Sequence, residues 1–357
     1  MRAFSRGRLW LTCGAVVLWL VGGLGRHPGI VAHSQRQAEV WPWPAGRYRF
    51  RSLQRRTARC FQSVAAGTTR TDRHRDAGSV VCVFNVLQSA NLNDPLLIVA
   101  LSGWVDAALA GRDTARVLNR RLTNRALIAE CSLADLVDLS STRPTVELED
   151  GVVKRTRWPR VRVTAGSMGR DVVIMRGPEP GLRWPSFCDA VVELAHSLDV
   201  AEAVTVAGMP SAVTHRRPVR VFATATSAEL ADRLGQVRAD YDGPTGVQTM
   251  VQAALGASGI QTAGLWAQVP HYLASTRSPS AVRALLGKLV SQYELAIDLT
   301  PFDERAENYH NQVEAAVVLR PDLREAVEQL EQVPDVESLP SADELASEIE
   351  EFLRGDS

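Results

Sequence analysis

The pattern of hydrophobic and polar positions is most informative between Asp94 and Trp104. A continuous apolar run at 96–101 ends in the small-residue turn Ser102-Gly103, and a helical pattern follows at 107–121. An uninterrupted apolar run of this kind is typical of a parallel strand that is buried on both faces. Because α/β proteins place ligands and partners at the carboxyl ends of such strands, the run predicts a fold class and the position of a site.

Strand and helix patterns alternate as far as residue 300. Further strands are predicted at 126–130, 161–164, 171–175, 203–207, 219–223 and 264–268. The pair Asp150-Gly151 predicts a tight hairpin between 144–149 and 152–158. Helices are predicted at 187–198, after the capping residue Ser227, at 245–257 and at 281–293. This alternation predicts a three-layer α/β/α domain with a mostly parallel or mixed sheet.

Composition divides the chain into three parts. The α/β/α domain is expected at 91–300. Residues 301–357 are more acidic and predict a helical C-terminal region with amphipathic helices at 322–332 and 342–353. Residues 1–90 are expected to form an N-terminal extension that stays outside the packed core, because 47–75 have almost no apolar periodicity.

The N-terminal extension has two interpretations. Arg2, Arg6 and Arg8 precede an apolar stretch at 9–24, which is the layout of a secretory signal or a short membrane anchor. Alternatively, the start codon is placed too far upstream, and this second interpretation is preferred because no small-x-small cleavage site follows. A cytoplasmic location is therefore expected, with export or membrane anchoring as the alternative if the apolar stretch is translated and functional.

Charge and motifs exclude several function classes. The chain has 40 basic and 40 acidic residues, so no global field attracts nucleic acid or an anionic membrane. The five cysteines are scattered without a Cys-x-x-Cys pair, which predicts neither a disulfide scaffold nor a zinc site. None of the motifs GxxxxGK[ST], GxGxxG, GxSxG and HExxH follows a predicted strand or opens a predicted helix. Their absence argues against the nucleotide-binding, serine-hydrolase and zinc-protease classes that they mark. Neither a cofactor nor a metal is expected.

Four loops that follow predicted strands, together with one helix start, carry the candidate site. The candidate residues are Ser102, Trp104, Asp106, Arg176, Glu179, Arg183, Trp184, His215, Gly243, Thr245, Gly246, His271 and Tyr272. One interpretation gathers them into a single pocket at the carboxyl edge of the sheet. The other is that the loops shape the fold, and that their Trp and Arg side chains lie in a subunit interface.

The pocket interpretation assigns specific chemistry. Arg176 or Arg183 could bind a carboxylate or phosphate through two parallel hydrogen bonds. Asp106 or Glu179, paired with His215 or His271, could supply acid–base chemistry. The free N–H groups at the helix start after Gly243 would favour an anion.

Five segments of the chain resemble one known family. The segments are LIVALSGWVDA, STRPTVELEDG, RGPEPGLRW, YDGPTG and LWAQVPHYLA. Together they resemble the actinobacterial branch of the PAC2 family, which takes its name from proteasome assembly chaperone 2, and the resemblance runs from about residue 94 to 357. It implies a phosphorylase/hydrolase-like α/β/α fold with a helical C-terminal part, homo-oligomers and a proteasome-related protein partner.

The sequence departs from the family pattern at three places. The family's Asn-Asp-Ala-Gly is replaced by Val105-Asp106-Ala107-Ala108, and its Pro-His-Thr-Arg-Pro by VTHRRP at 213–218. The chain ends in LRGDS, without the hydrophobic-Tyr-x ending through which some proteasome chaperones dock. The leading hypothesis is a non-enzymatic oligomeric binding or assembly factor linked to the proteasome. The alternative is a small-molecule hydrolase or phosphorylase-like enzyme that acts on an anionic substrate.

Overall fold

A computed structural model describes residues 84–104, 106–235 and 241–332. The apolar stretch at 9–24, Val105 and the helix expected at 342–353 lie outside these residues. Within them the structure has ten strands, of which two form a separate hairpin. The strands are β1 (Asn85–Val86), β2 (Leu96–Ser102), β3 (Thr123–Ser132), β4 (Thr145–Glu149), β5 (Val152–Arg157), β6 (Arg160–Ser167), β7 (Asp171–Pro178), β8 (Glu202–Ser211), β9 (Val221–Ala225) and β10 (Gln261–Pro270).

The described residues also form seven α-helices and two short 3₁₀ turns, Ala107–Leu109 and His271–Leu273. The helices are α1 (Ala110–Arg121), α2 (Trp184–Ser197), α3 (Ala228–Arg233), α4 (Val247–Ala257), α5 (Pro279–Tyr293), α6 (Thr300–Leu319) and α7 (Pro321–Glu331). The hydroxyl of Ser227 accepts a hydrogen bond from the Leu230 N–H at the start of α3, as its position predicts.

Eight strands form one mixed sheet in the order β1-β3-β6-β7-β2-β8-β10-β9. The central strands β7, β2, β8 and β10 run parallel, and the flanking strands pair in antiparallel fashion. Helices α1 and α5 cover one face of this sheet, while α2 and α4 cover the other. The α/β/α fold with a mixed sheet is therefore confirmed.

Strand β2 shows why the apolar run has no alternation. Leu96, Ile98 and Ala100 pack under α1 and α5, whereas Leu97, Val99 and Leu101 pack under α2 and α4. All six side chains are at most 2% exposed, because both faces of the central strand are covered by helices. Because β2 lies between β7 and β8 in the strand order, its end lies in the interior of the carboxyl edge of the sheet.

The hairpin predicted around Asp150-Gly151 is confirmed. Strands β4 and β5 pair in antiparallel fashion, and Asp150 and Gly151 both adopt positive φ angles, 52° and 77°. Two successive residues with positive φ are what a two-residue turn of type I′ requires. The hairpin makes no strand pairing with the main sheet, and every residue of β4 and β5 is exposed.

Two parts of the chain differ from the sequence expectation. Phe84 is buried against Phe187 with ring centroids 6.2 Å apart, although it lies upstream of the boundary expected at residue 90. Helix α6 was not predicted, and the C-terminal region holds it in addition to α7, which matches the helix expected at 322–332. Only Phe302, Val313 and Val317 of α6 are buried, so its apolar stripe is too sparse to show a helical period.

Candidate functional site

The carboxyl ends of β2, β7, β8 and β10 lie at one edge of the sheet, and the four candidate loops begin there. The first two loops are tied by their backbones, because the Glu179 N–H donates to the Ser102 carbonyl at 2.9 Å. The Ser102 hydroxyl donates to the Gly177 carbonyl at 3.4 Å. The four candidate loops therefore begin at the same edge of the sheet. The loops after β2 and β7 are joined there by hydrogen bonds within the protein.

Glu179 links the β2 and β7 loops to the start of α4. Its Oε2 accepts from the Trp104 N–H at 2.8 Å, and its Oε1 accepts from the Val247 N–H at 2.7 Å. At the start of α4 the N–H of Val247 therefore donates to a carboxylate of the same chain. A Cβ at Gly103 would lie 1.9 Å from Glu179 Oε2, so this close approach requires glycine.

Asp106 has a similar bracing role on the other side of β2. Its Oδ1 accepts from the Gly111 N–H at 2.7 Å and from the Gly208 N–H at 3.2 Å, while its Oδ2 accepts from the Arg112 N–H at 3.1 Å. The side chain therefore joins the start of α1 to strand β8. Burial raises the pKa of Asp106 to about 6, and the backbone donors offset only part of that cost.

The turn between Asp106 and α1 is strained. Ala108 and Leu109 both adopt left-handed conformations, with φ angles of 56° and 54°. For residues with a side chain this conformation costs about 1–2 kcal/mol each. The Ala108 N–H donates to the Ala274 carbonyl at 2.5 Å, which ties the β2 loop to the segment after β10. Glycine adopts this φ without strain, so alanine at position 108 carries a cost that glycine would not.

A second cluster joins the β8 and β10 loops. The Tyr272 hydroxyl accepts the His215 backbone N–H at 2.9 Å and lies 2.7 Å from His215 Nδ1. Burial raises the pKa of Tyr272 to about 12, so its proton remains available to Nδ1. His215 Nε2 is 3.1 Å from Glu314 Oε1, at ion-pair distance but outside hydrogen-bond geometry. Burial lowers the pKa of His215, and the charge of Glu314 opposes that shift.

The same cluster fastens the β8 loop to the C-terminal helices. Arg216 donates to both Glu314 oxygens, at 2.7 and 3.1 Å, and to Glu331 Oε1 at 2.8 Å. These hydrogen bonds raise the pKa of Arg216 and lower that of Glu314. Sequence reasoning did not find Glu314 because α6 was not predicted. The run of basic residues in the β8 loop was the only available signal for an acidic partner.

The remaining candidates occupy separate places. Arg176 lies on the α1 face of the sheet opposite Ala100 and Arg162. Trp184 Nε1 donates to the Pro180 carbonyl at 2.6 Å, and Arg183 adopts a φ of 56° just before α2. His271 stacks edge-on against Tyr272 with centroids 5.6 Å apart. Gly243 is exposed, Thr245 is half-buried and Gly246 precedes α4 as its buried N-cap.

Two cavities lie near these loops. A cavity of about 260 Å³ beside His215 is lined by the β8 loop, Gln268 and Pro270. A groove of about 850 Å³ runs from Tyr272 between α5, α6 and α7. Neither lining includes Asp106, Arg176 or Glu179. In these two cavities, the acid and base candidates are therefore not brought together.

The fold and these braced loops define an α/β/α protein whose strand-end edge carries two hydrogen-bonded clusters. The PAC2 family profile matches residues 100–317, which is more than half of the chain. This chain belongs to the PAC2 family.

Solved structures agree with this assignment. A PAC2 family protein from Streptomyces avermitilis is 32% identical, with a TM-score of 0.60, and the match covers 66% of this chain and 100% of that one. A proteasome-assembly chaperone homologue from Mycobacterium tuberculosis is 30% identical, with a TM-score of 0.60 and coverages of 65% and 99%. A protein of unknown function from Corynebacterium glutamicum is 27% identical, with a TM-score of 0.65 and coverages of 70% and 96%. No curated protein matches the sequence.

In the part of the chain that the structure describes, no group of three or more His, Cys, Asp or Glu side chains is arranged to hold a metal ion. Among the helices within these same ranges, none is both long enough and apolar enough to cross a membrane.

Proposed function

We propose that this protein is a non-enzymatic, homo-oligomeric assembly factor that acts in the cytoplasm on a proteasome-related partner. Membership of the PAC2 family supports the proposal, as does the likeness to a chain described as a proteasome-assembly chaperone homologue. In this proposal the α/β/α part, expected at 91–300, forms the body, and 301–357 forms a helical region that α6 and α7 begin.

The hydrogen bonds that Asp106 and Glu179 accept favour this proposal over the catalytic alternative. Asp106 and Glu179 each use both carboxylate oxygens to accept backbone N–H groups. A general base must reach a substrate proton at hydrogen-bond distance. Asp106 is buried and already accepts three backbone N–H groups, and Glu179 is held between two backbone N–H groups of different loops. The two carboxylates are better explained as braces that hold the strand-end loops in fixed positions.

The proposal that the protein forms a homo-oligomer rests on the β4–β5 hairpin. Val146 and Leu148 lie two residues apart on β4, and Val153 is the cross-strand partner of Leu148, so the three share one face. They are 55%, 60% and 58% exposed. A two-stranded hairpin is only marginally stable by itself in water, and an apolar face left open favours a protein partner.

The opposite face of the hairpin is already neutralised. Arg157 pairs with Glu147 at 2.5 Å, and Lys154 lies 3.6 Å from Glu149. One face therefore carries two ion pairs beside Val152, whereas the other holds Val146, Leu148 and Val153, with Thr156 opposite Val146. A second copy presents the same apolar strip, and a two-fold axis brings two identical strips together. We infer that the Val146 face is the contact between copies of this chain.

Replacing Val146, Leu148 and Val153 together by serine is expected to dissociate the oligomer. Each of these side chains contributes roughly 1.5–3 kcal/mol when buried, so their combined loss weakens self-association by at least about 100-fold. Sedimentation velocity of the full chain measures the change in mass. Val152→Ser, which alters the opposite face, is the control and is expected to leave the mass unchanged. A monomeric native protein, or a triple variant with unaltered mass, would contradict the oligomer proposal.

The partner part is tested separately. Tagged full-length protein is crosslinked in native extract, purified and analysed by mass spectrometry, beside an untagged strain as the control. Proteasome subunits or their assembly intermediates are expected to be enriched over the control. Recovery of this chain alone, after crosslinking that does capture its own oligomer, would remove the support for a proteasome-linked role.

A further inference from the structure

Four arginines from four elements lie together beside α1, and we name them the arginine shelf: Arg116, Arg125, Arg162 and Arg176. Arg162 and Arg176 are cross-strand partners on β6 and β7. Arg176 follows Val172 and Ile174 at alternate positions on β7, and both of these pack in the core beneath α1. Because alternate residues of a strand share a face, Arg176 and Arg162 lie on the α1 side of the sheet.

The other two members approach from the helix and from β3. Arg116 lies on α1, and Arg125 Nη1 donates to the Asn119 carbonyl near the end of that helix at 3.2 Å. Residue 100, opposite Arg176 on β2, is a buried alanine and brings no charge of its own to this face. The shelf is thus formed by the last residues of β7, the neighbouring β6 strand, β3 and the edge of α1.

The carboxylates near the arginine shelf pair mainly with arginines outside it. Glu130, the cross-strand partner of Arg162, is held by Arg160 Nη1 at 2.9 Å from both of its oxygens. Asp113 lies 3.7 Å from Arg116 but pairs more closely with Arg277. The shelf therefore keeps an excess of positive charge. The positive charges of Arg162, Arg116 and Arg125 add to burial in lowering the pKa of Arg176.

Arg176 also has an unused donor. Its Nε is buried and, within the described residues, has no hydrogen-bond partner. A buried N–H without a partner costs about 1–3 kcal/mol, and more when the group is charged. Arg176 as a whole is only half-buried, so the rest of its guanidinium can donate to an anion that also offsets the positive charge of the three neighbouring arginines.

We propose that the arginine shelf binds an oxyanion of the phosphate class, either inorganic phosphate or the phosphate group of a small molecule. A carboxylate offers two oxygens in one plane and suits a single guanidinium. A tetrahedral phosphate offers oxygens in several directions and a charge near −2, which matches guanidinium groups that approach from several elements. This proposal is independent of the assembly role.

The test measures binding of inorganic phosphate to the full chain by calorimetry, with sodium chloride at equal ionic strength as the reference. O-phosphoserine in a parallel titration distinguishes a phosphorylated small molecule from free phosphate. We expect saturable binding of at least one of the two, and at least a tenfold loss of affinity in Arg176→Met. Arg176→Lys, which keeps the charge but not the planar donor set, is expected to lose affinity as well.

A second readout shows that the variant is folded. Without phosphate, the melting temperature of Arg176→Met is expected to equal or exceed that of the native protein, because a partly buried and unsatisfied cation is removed. Arg155→Met on the exposed β5 strand is the matched control and is expected to keep native affinity. The absence of saturable binding by the native protein, or equal affinity in native protein and Arg176→Met, would overturn the proposal.

Discussion

Gly111→Ala is expected to lower the free energy of unfolding by about 3 kcal/mol or more. A Cβ at Gly111 would lie 2.1 Å from the Val206 carbonyl oxygen and 2.8 Å from its carbonyl carbon. These are backbone atoms of the central strand β8, so neither α1 nor the sheet can yield without losing neighbouring contacts. In a helix, alanine is more favourable than glycine by about 1 kcal/mol. The expected loss of about 3 kcal/mol is the cost of the clash after this gain has been subtracted.

Gly287→Ala is the matched control for this substitution. Gly287 also lies inside a helix, α5, but its nearest neighbour would be Arg283 Nη1 at 2.7 Å, the far end of a flexible side chain. There alanine is expected to stabilise the protein by about 0.5–1 kcal/mol. Urea denaturation followed by circular dichroism measures both variants. If Gly111→Ala were as stable as Gly287→Ala, α1 could not lie against β8 as described.

Local patterns predicted most of the strands and helices because those elements are determined by burial along a short stretch of chain. The β2 run, the Asp150-Gly151 hairpin and the Ser227 cap were each visible within a few residues. The order of the strands in the sheet was not, because it depends on pairings such as that of β10 with both β8 and β9. Helix α6 was missed because too few of its residues are buried to mark one face.

The candidate site shows the same division between local and distant information. The sequence located the strand-end loops, since these follow directly from the positions of the strands. It could not give the roles of Asp106 and Glu179, because these depend on where the N–H groups of Gly208 and Val247 point in three dimensions. The His215 cluster likewise depends on Glu314, which is distant in the sequence and lies on the unpredicted helix.

The raised pKa of Asp106 predicts that the free energy of unfolding falls as pH rises. Its pKa is raised from 3.8 to about 6 in the folded protein, so between these values the native state holds a proton that the unfolded state has released. The stability contributed by this protonation is fully present below the unfolded pKa and is lost as pH rises through about 6. With about 1.4 kcal/mol for each pKa unit, the full contribution is about 3 kcal/mol, and about 2.5 kcal/mol of it is lost between pH 4 and 7.

Asp106→Asn isolates this contribution because asparagine carries no titrating proton. Urea denaturation of both proteins at intervals from pH 4 to 7 is expected to show the native protein losing about 2.5 kcal/mol relative to the variant. Asp138→Asn is the control. Hydrogen bonds from Ser140 lower the pKa of Asp138 from 3.8, so its stabilisation is lost only below that pH, and this variant is expected to stay at a nearly constant difference from the native protein between pH 4 and 7. A difference between native protein and Asp106→Asn that stayed constant across this range would mean that burial does not raise the pKa of Asp106.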